Sequence, residues 1–397
     1  MFLPVLQYVR RYIESVSGHM PTYPLAKPHI GKEEKRAVLG VLDSGILSLG
    51  PQQEEFEMQF AKYVGTKYAC AVSSGTAGLH IALLAAGIGH GDEVITSPFS
   101  FIASANAILY VGAKPVFVDI DPVSYNMNPA LLASKITKRT KAILVVHIFG
   151  QPCDMTPILT IARKRKLKII EDACESIGAT NRGKAAGTFG ESAVFAFYPN
   201  KQMTTGEGGT VVSNRKSVYE FCKSVRNQGR AENMQWLDHV RLGYNYRMDE
   251  MSAALGLVQL GKLDGMIRKR RMIARWYKKY LAPWRHLIRP PVVAPGNTHT
   301  WFVYVVQVLG RAGQRDACIR ALAEKGIQSK PYLPAIHLFD FYREKFGFRR
   351  GDFPVTEAVS DRSLSLPFSI GLRERDVQFI VRTLVAFLKT HGQRIQK

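Results

Sequence analysis

Apolar runs alternate with amphipathic stretches along the first two-thirds of the chain. Strand-like runs occur at 68–74 (YACAVSS), 92–99 (DEVITSPF), 114–121 (KPVFVDID), 142–150 (AILVVHIFG), 167–173 (LKIIEDA), 192–198 (SAVFAFY) and 208–213 (GGTVVS). Helix-like segments at 75–87, 100–111, 154–165 and 215–226 separate several of them. Near-continuous apolar strands joined by helices predict an α/β domain with a mostly parallel seven-stranded sheet, covered on both faces. A long helical stretch follows at roughly 249–282 and stops before Pro283. The pattern then changes to an extended run (298–308), a helix near 313–325, a loop rich in Pro and aromatics, and a last helix near 373–390. The chain thus divides into an N-terminal extension (1–19), a large domain (20–265) and a smaller C-terminal α+β domain (266–397), the last boundary falling inside a helix.

A chain of 397 residues has room for two domains and a sizeable core. Its 46% hydrophobic and 22% charged content is that of a globular enzyme, and no run approaches the about 20 uninterrupted apolar residues of a membrane span. The first residues, MFLPVLQYVRRYIESVSGHM, are broken by Arg10, Arg11 and Glu14, so no secretory core can be drawn there. Val5, Leu6, Val9, Tyr12 and Ile13 recur at helical spacing, which leaves a short amphipathic helix open. The reading preferred over a membrane-surface anchor is an extension ahead of a functional start at Met20. A chain starting there is expected to keep its assembly and activity.

The five cysteines are odd in number and form no CxxC pair, which fits a reducing cytoplasm and argues against a structural zinc site. No metal is expected. Net charge is +22, densest at 162–168 and 266–279. Both stretches sit inside helical segments without a nucleic-acid signature, so they read as solvated helix faces and no nucleic-acid partner is expected. The field would still draw in anionic small molecules.

Candidate chemistry centres on Lys201, in FAFYPNKQMTTGEGG (195–209). A lone lysine is most often a solvated surface charge. This one follows an apolar strand and precedes a Gly-rich turn, which sets an amine beside buried apolar surface, where it can act as a nucleophile. Asp172, in IIEDACES, is a carboxylate presented by a neighbouring strand. It suits a protonated pyridine nitrogen, the pairing found in pyridoxal phosphate (PLP) sites. A third element is VSSGTAG (72–78), a strand running into a helix start. Free N–H groups at a helix N-terminus bind phosphate, Gly75 permits close approach, and the Ser74 and Thr76 hydroxyls add donors. A plain Ser/Thr helix cap looks much the same.

With these motifs in order, the chain resembles the DegT/StrS family of PLP-dependent sugar aminotransferases, which have the fold type I (aspartate aminotransferase-like) architecture. The resemblance runs from about Pro21 to Leu388. It is carried by SGILSLGPQQEEFEMQFAKYVG (44–65), SSGTAGLHIAL (73–83), TSPFSFIASANAI (96–108), HIFGQPCDM (147–155), EDACESIGA (171–179), FYPNKQMTTGEGG (197–209), GYNYRMDEMSAALG (243–256), PYLPAIHLFDFY (331–342) and FPVTEAVSDRSLSLPF (353–368).

The resemblance implies that Lys201 bonds the cofactor and moves the substrate proton, and that Asp172 pairs with the ring nitrogen. It further implies that Phe101 stacks on the ring and that Ser74, Gly75 and Thr76 hold the phosphate. Asn245 would reach the phosphate of the neighbouring subunit, making a homodimer with shared sites. Phe101 as plain core, Asn245 as a turn residue and Asp172 as a strand-end cap are the bland alternatives. His337 and Tyr332 fall where substrate contacts are expected.

Two positions depart from the family: Ala196 replaces a phosphate-binding Ser, and Glu175 replaces His or Gln near the cofactor. The implied reaction is ping-pong transfer of an amino group from L-glutamate or glutamine to a nucleotide-linked keto sugar. The sugar is expected to be a 4-keto-6-deoxyhexose, in polysaccharide or amino-sugar biosynthesis in the cytoplasm. Amination of a keto-cyclitol and a non-catalytic PLP- or sugar-binding regulator are the alternatives.

Overall fold

The structure is a computed structural model that describes residues 23–231 and 238–392; the expected 1–19 extension lies outside the described residues. Two helices open it, α1 (Lys32–Ser44) and α2 (Pro51–Val64). Then come β1 (Tyr68–Val72), α3 (Gly75–Ala85), β2 (Glu93–Thr96), α4 (Ala103–Tyr110), β3 (Lys114–Phe117), β4 (Thr140–Val146), α5 (Met155–Arg165) and β5 (Lys168–Asp172). The two-residue strands β6 (Thr180–Asn181) and β7 (Lys184–Ala185) precede β8 (Ser192–Ala196), β9 (Gly209–Ser213), α6 (Lys216–Arg226) and the long α7 (Glu250–Leu281).

The sheet order is β1-β9-β8-β5-β4-β2-β3. Its seven members are the seven strands expected from sequence. Strand β9 runs antiparallel to both neighbours, while the other pairs are parallel. A parallel pairing needs a crossover, usually a helix; residues 197–208 between β8 and β9 contain none and turn straight back. That turn holds Lys201.

Both faces of the sheet are covered. Leu79, Ile81, Leu83, Ala107, Ile108, Cys222 and Val225 of α3, α4 and α6 pack on Val72, Val94, Leu144, Ile170 and Val194. Phe56, Phe60, Leu263 and Ile267 of α2 and α7 pack on Ala71, Ala193, Phe195 and Val212 of the other face.

Helix α7 then leaves this core. From Ile273 through Tyr277 to Leu281 it belongs to a second one, built with β10 (Ile288–Arg289), β12 (Tyr304–Val308), α8 (Gln314–Ala323), β14 (Ser363–Leu366) and α11 (Glu374–Gly392). Between these lie β11 (Asn297–Thr298), β13 (Lys330–Pro331), α9 (Asp340–Phe346) and α10 (Pro354–Arg362). The small sheet is β10-β12-β14-β13, antiparallel throughout.

Three sequence expectations need correcting. The run 298–308 is not one strand. Trp301 takes a left-handed φ of 57°, so β11 pairs with β6 while β12 joins the small sheet. The Pro- and aromatic-rich loop contains α9 and α10. Residues Tyr23–Leu25, placed in the large domain, pair with the small body instead: Tyr23 bridges Ile327, and the Leu25 carbonyl accepts the Phe368 N–H at 2.9 Å. Among the described residues, no helix is long and apolar enough to cross a membrane.

Candidate active site

Strands β5 and β8 lie side by side with Asp172 opposite Val194, so Asp172 and Ala196 end at the same edge of the sheet. Crevices outside the carboxyl ends of parallel strands are where α/β sheets bind ligands. Gly75 opens α3 beside this edge. An added Cβ there would lie 2.6 Å from the Ala196 Cβ and 3.1 Å from the Cys174 sulfur. The small Ala196 side chain, where the family pattern has Ser, therefore packs against the glycine.

Ser74 caps α3, its Oγ accepting the Ala77 N–H at 3.1 Å. The N–H groups of Gly75 and Thr76 have no acceptor within the helix, as in the first turn of any helix, and point out of its N-terminus. The Ser73 N–H donates to the Tyr246 carbonyl at 2.8 Å, which ties this loop to 243–247.

The Lys201 amine lies 3.4 Å from Glu175 Oε1 and 4.1 Å from the centre of the Phe302 ring, and its side chain is 13% exposed. An amine against buried apolar surface was the sequence expectation; the aromatic face comes from the small body, over a hundred residues away in sequence. The Arg270 guanidinium donates to the carbonyls of Lys201, Trp301 and Phe302 and ties the lysine turn to that body.

Asp172 is 6% exposed. Oδ2 accepts the Ser104 hydroxyl at 2.6 Å and Oδ1 the Cys174 N–H at 3.2 Å. Ser104 is linked in turn to Ser100 at 2.7 Å. The carboxylate is therefore held in one orientation.

Glu175 accepts the Phe149 N–H at 2.8 Å, and its carbonyl accepts from Gln202 Nε2. Burial pushes its carboxyl up, against the pull of Lys201 and the Phe149 N–H. Burial also pushes the Cys174 thiol well up, with Asp172 adding to the effect and Lys201 opposing it. Tyr332 belongs to the same group: its ring packs on Phe149 and Phe302 at 5.5 and 6.3 Å, and burial together with the Glu175 charge raises its phenol.

Phe101 stands 62% exposed between β2 and α4, so it is not plain core. Asn245 is exposed in the 243–247 loop, where its backbone bridges Asn227. His337 does not join the cluster. Its side chain is fully buried, Nε2 is 3.0 Å from Glu357, and its ring packs on Phe353 at 4.7 Å. The aromatic loop folds it into the packing of α9 and α10, so it holds the fold and does not face Lys201.

Ser104, Phe149, Gln202 and Phe302 are site residues that the sequence reading missed. Only Ser104 left a local trace, the i, i+4 spacing from Ser100 at a helix start; the others meet through long-range packing.

The DegT/DnrJ/EryC1/StrS aminotransferase family description matches residues 28–385. The chain belongs to this family. It is 40% identical over 367 residues to the GDP-perosamine synthase of Caulobacter vibrioides, covering 92% of this chain and 98% of that one. It is 38% identical over 378 residues to the spore coat polysaccharide biosynthesis protein SpsC of Bacillus subtilis, covering 92% and 97%. Among solved structures, Spr1654 of Streptococcus pneumoniae in its PLP form superimposes with a TM-score of 0.88 at 27% identity, over 92% of this chain and 98% of that one. This DegT-family chain is a PLP-dependent sugar aminotransferase. Its residues fit the cofactor: free first-turn N–H groups at a helix start, Gly75, for the phosphate, an amine at Lys201, and an oriented buried carboxylate at Asp172.

Proposed function

We propose that the enzyme transfers an amino group from L-glutamate to a nucleotide-linked 4-keto-6-deoxyhexose. The observation that carries this reading is the near full-length similarity to GDP-perosamine synthase, which makes a guanosine diphosphate carrier the first one to test. Bound through Lys201, PLP supplies an electron sink that lets an amino group leave one carbon and join another.

The chain's own residues do the rest. Lys201 Nζ removes the α-proton of the donor and returns one to the acceptor carbon. Asp172, fixed by Ser104, keeps the ring nitrogen protonated. Ser74, Gly75 and Thr76 hold the phosphate at the start of α3, and exposed Phe101 covers the ring face. Tyr332, packed on Phe149 and on the Phe302 ring that faces Lys201, meets the sugar. Asn245, exposed on its loop, serves the phosphate of a second copy, so the working unit is a homodimer. All five cysteines are unpaired, which suits a reducing cytoplasm.

A coupled assay over a panel of nucleotide-linked keto sugars, with glutamate and glutamine as donors, tests the reading. Turnover is expected with a 4-keto-6-deoxyhexose and glutamate. Turnover confined to a keto-cyclitol, or none with any keto sugar, would overturn it.

A further inference from the structure

Glu175 meets the Lys201 amine, and its surroundings fix the carboxylate in place. Oε2 takes the Phe149 N–H, the backbone carbonyl takes Gln202, and Oε1 is left facing Nζ at 3.4 Å. The Phe149 N–H reaches Oε2 from a strained backbone with φ at 59°, a left-handed conformation rare for an aromatic residue. The strain is clamped from the small body, since Phe302 N–H donates to the Phe149 carbonyl at 3.0 Å and Thr300 N–H to the Gly150 carbonyl at 2.9 Å. Among the described residues, no other carboxylate forms an ion pair with Nζ. A carboxylate this enclosed is costly without its cation, so the two charges depend on each other.

We propose that Glu175 is the counter-ion of Lys201, a positioning residue that keeps a proton on the lysine nitrogen in the resting enzyme. The inference rests on Lys201 being the lysine that bonds the cofactor. As pH rises, the proton leaves Nζ for solvent; the fixed negative charge delays that loss. As pH falls, Oε1 takes a proton from solvent and the hold weakens. The other titratable groups facing the pair are Asp172 at the end of β5, Cys174 just after it, Tyr332 from the small body, and Arg270 on the Lys201 carbonyl. Burial pushes the Cys174 thiol and the Tyr332 phenol well up, so both stay neutral. The comparison therefore isolates one charge.

The test is a pH titration of the absorbance of the Lys201–cofactor linkage in PLP-loaded wild type and Glu175→Gln. Gln keeps an acceptor for the Phe149 N–H and removes only the charge. The deprotonation midpoint of the linkage nitrogen is expected to fall by about one pH unit or more, because an opposite charge within about 4–6 Å moves a pKa by roughly 1–3. An unmoved midpoint with an intact, borohydride-reducible chromophore overturns the counter-ion role and leaves the reading of Lys201 standing. No reducible chromophore in wild type removes both. Should Glu175→Gln fail to take up PLP, Glu175→Asp carries the test. It draws the charge back by one methylene, so the midpoint falls by a smaller amount, and no change there also overturns the role.

Discussion

Replacing Gly75 by Ala tests the geometry of the phosphate cradle with a predictable sign. At an unobstructed helix position the change would stabilise, because Ala is preferred over Gly by up to about 1 kcal/mol. Here the new Cβ would approach the Ala196 Cβ to 2.6 Å, against an ordinary carbon separation of about 3.5–4.0 Å. Helix α3 or the end of β8 must therefore move by about 1 Å. Overpacking of that kind costs about 1–3 kcal/mol, so even after the full propensity gain the net loss reaches about 2 kcal/mol. The moving parts carry the N–H groups that receive phosphate, so PLP affinity should fall at least about tenfold. The assays are urea unfolding of the cofactor-free protein and spectral titration with PLP. Gly261→Ala is the control: that glycine lies on the exposed face of α7 with nothing within 4 Å of an added Cβ, and its replacement should raise the urea midpoint. Adding Ala196→Gly to Gly75→Ala should recover most of the loss. If Gly75→Ala alone behaves like Gly261→Ala, the close packing is wrong.

Asp172→Asn should keep PLP yet lose most turnover, since removing an oriented charge of this kind raises a barrier by several kcal/mol; turnover near wild type would refute its role. Glu34, fully buried between α1 and α7, is pushed up by burial but more strongly held down, to about 2, by Lys262, Gly31, Gln259 and its own N–H. That depressed value contributes about 3 kcal/mol of stability, present above about pH 4.5 and lost as pH falls toward 2. Glu34→Gln should thus lie below wild type in urea at pH 6 and converge with it only as pH approaches 2; a pH-independent gap would contradict the linkage. Mixing inactive Lys201→Ala and Asn245→Ala chains should restore activity through heterodimers with one native site, and purified heterodimers without activity would place Asn245 in its own subunit's service.

The sheet was legible in the sequence because strands buried on both faces are written as apolar runs. The direction of β9 was not, since Gly209–Ser213 reads the same either way and only the helix-free 197–208 turn distinguishes them. Helices α1 and α2 went unnoticed for a physical reason: Glu34, Gln53 and Glu57 occupy buried positions on them, so polar residues break the apolar period. In the site, Ser74 and Asp172 were legible as candidates because each sits at or just past a strand end with its own local motif, and Lys201 because its turn follows the apolar run of β8. Phe302 and Gln202 were not, because their partners Lys201 and Glu175 come from distant segments. His337 misled for the opposite reason: an aromatic loop resembles a pocket wall, and its partner Glu357 was indistinguishable from a surface acid.

Helix α7 gives its first half to one core and its second half to the other, with no loop where the chain changes allegiance. A break anywhere between Ile267 and Ile273 would leave each fragment with a bare greasy stripe, so the halves make poor modules for swapping or separate expression. One rod joins the two bodies, and Phe302 on Phe149 and Thr300 on Gly150 clamp the same junction, so bending spreads in small changes over several turns. Because Phe302 reaches the lysine turn from the far body, and Arg270 of the rod itself holds the Lys201 carbonyl, any flexing of that rod is felt at the amine.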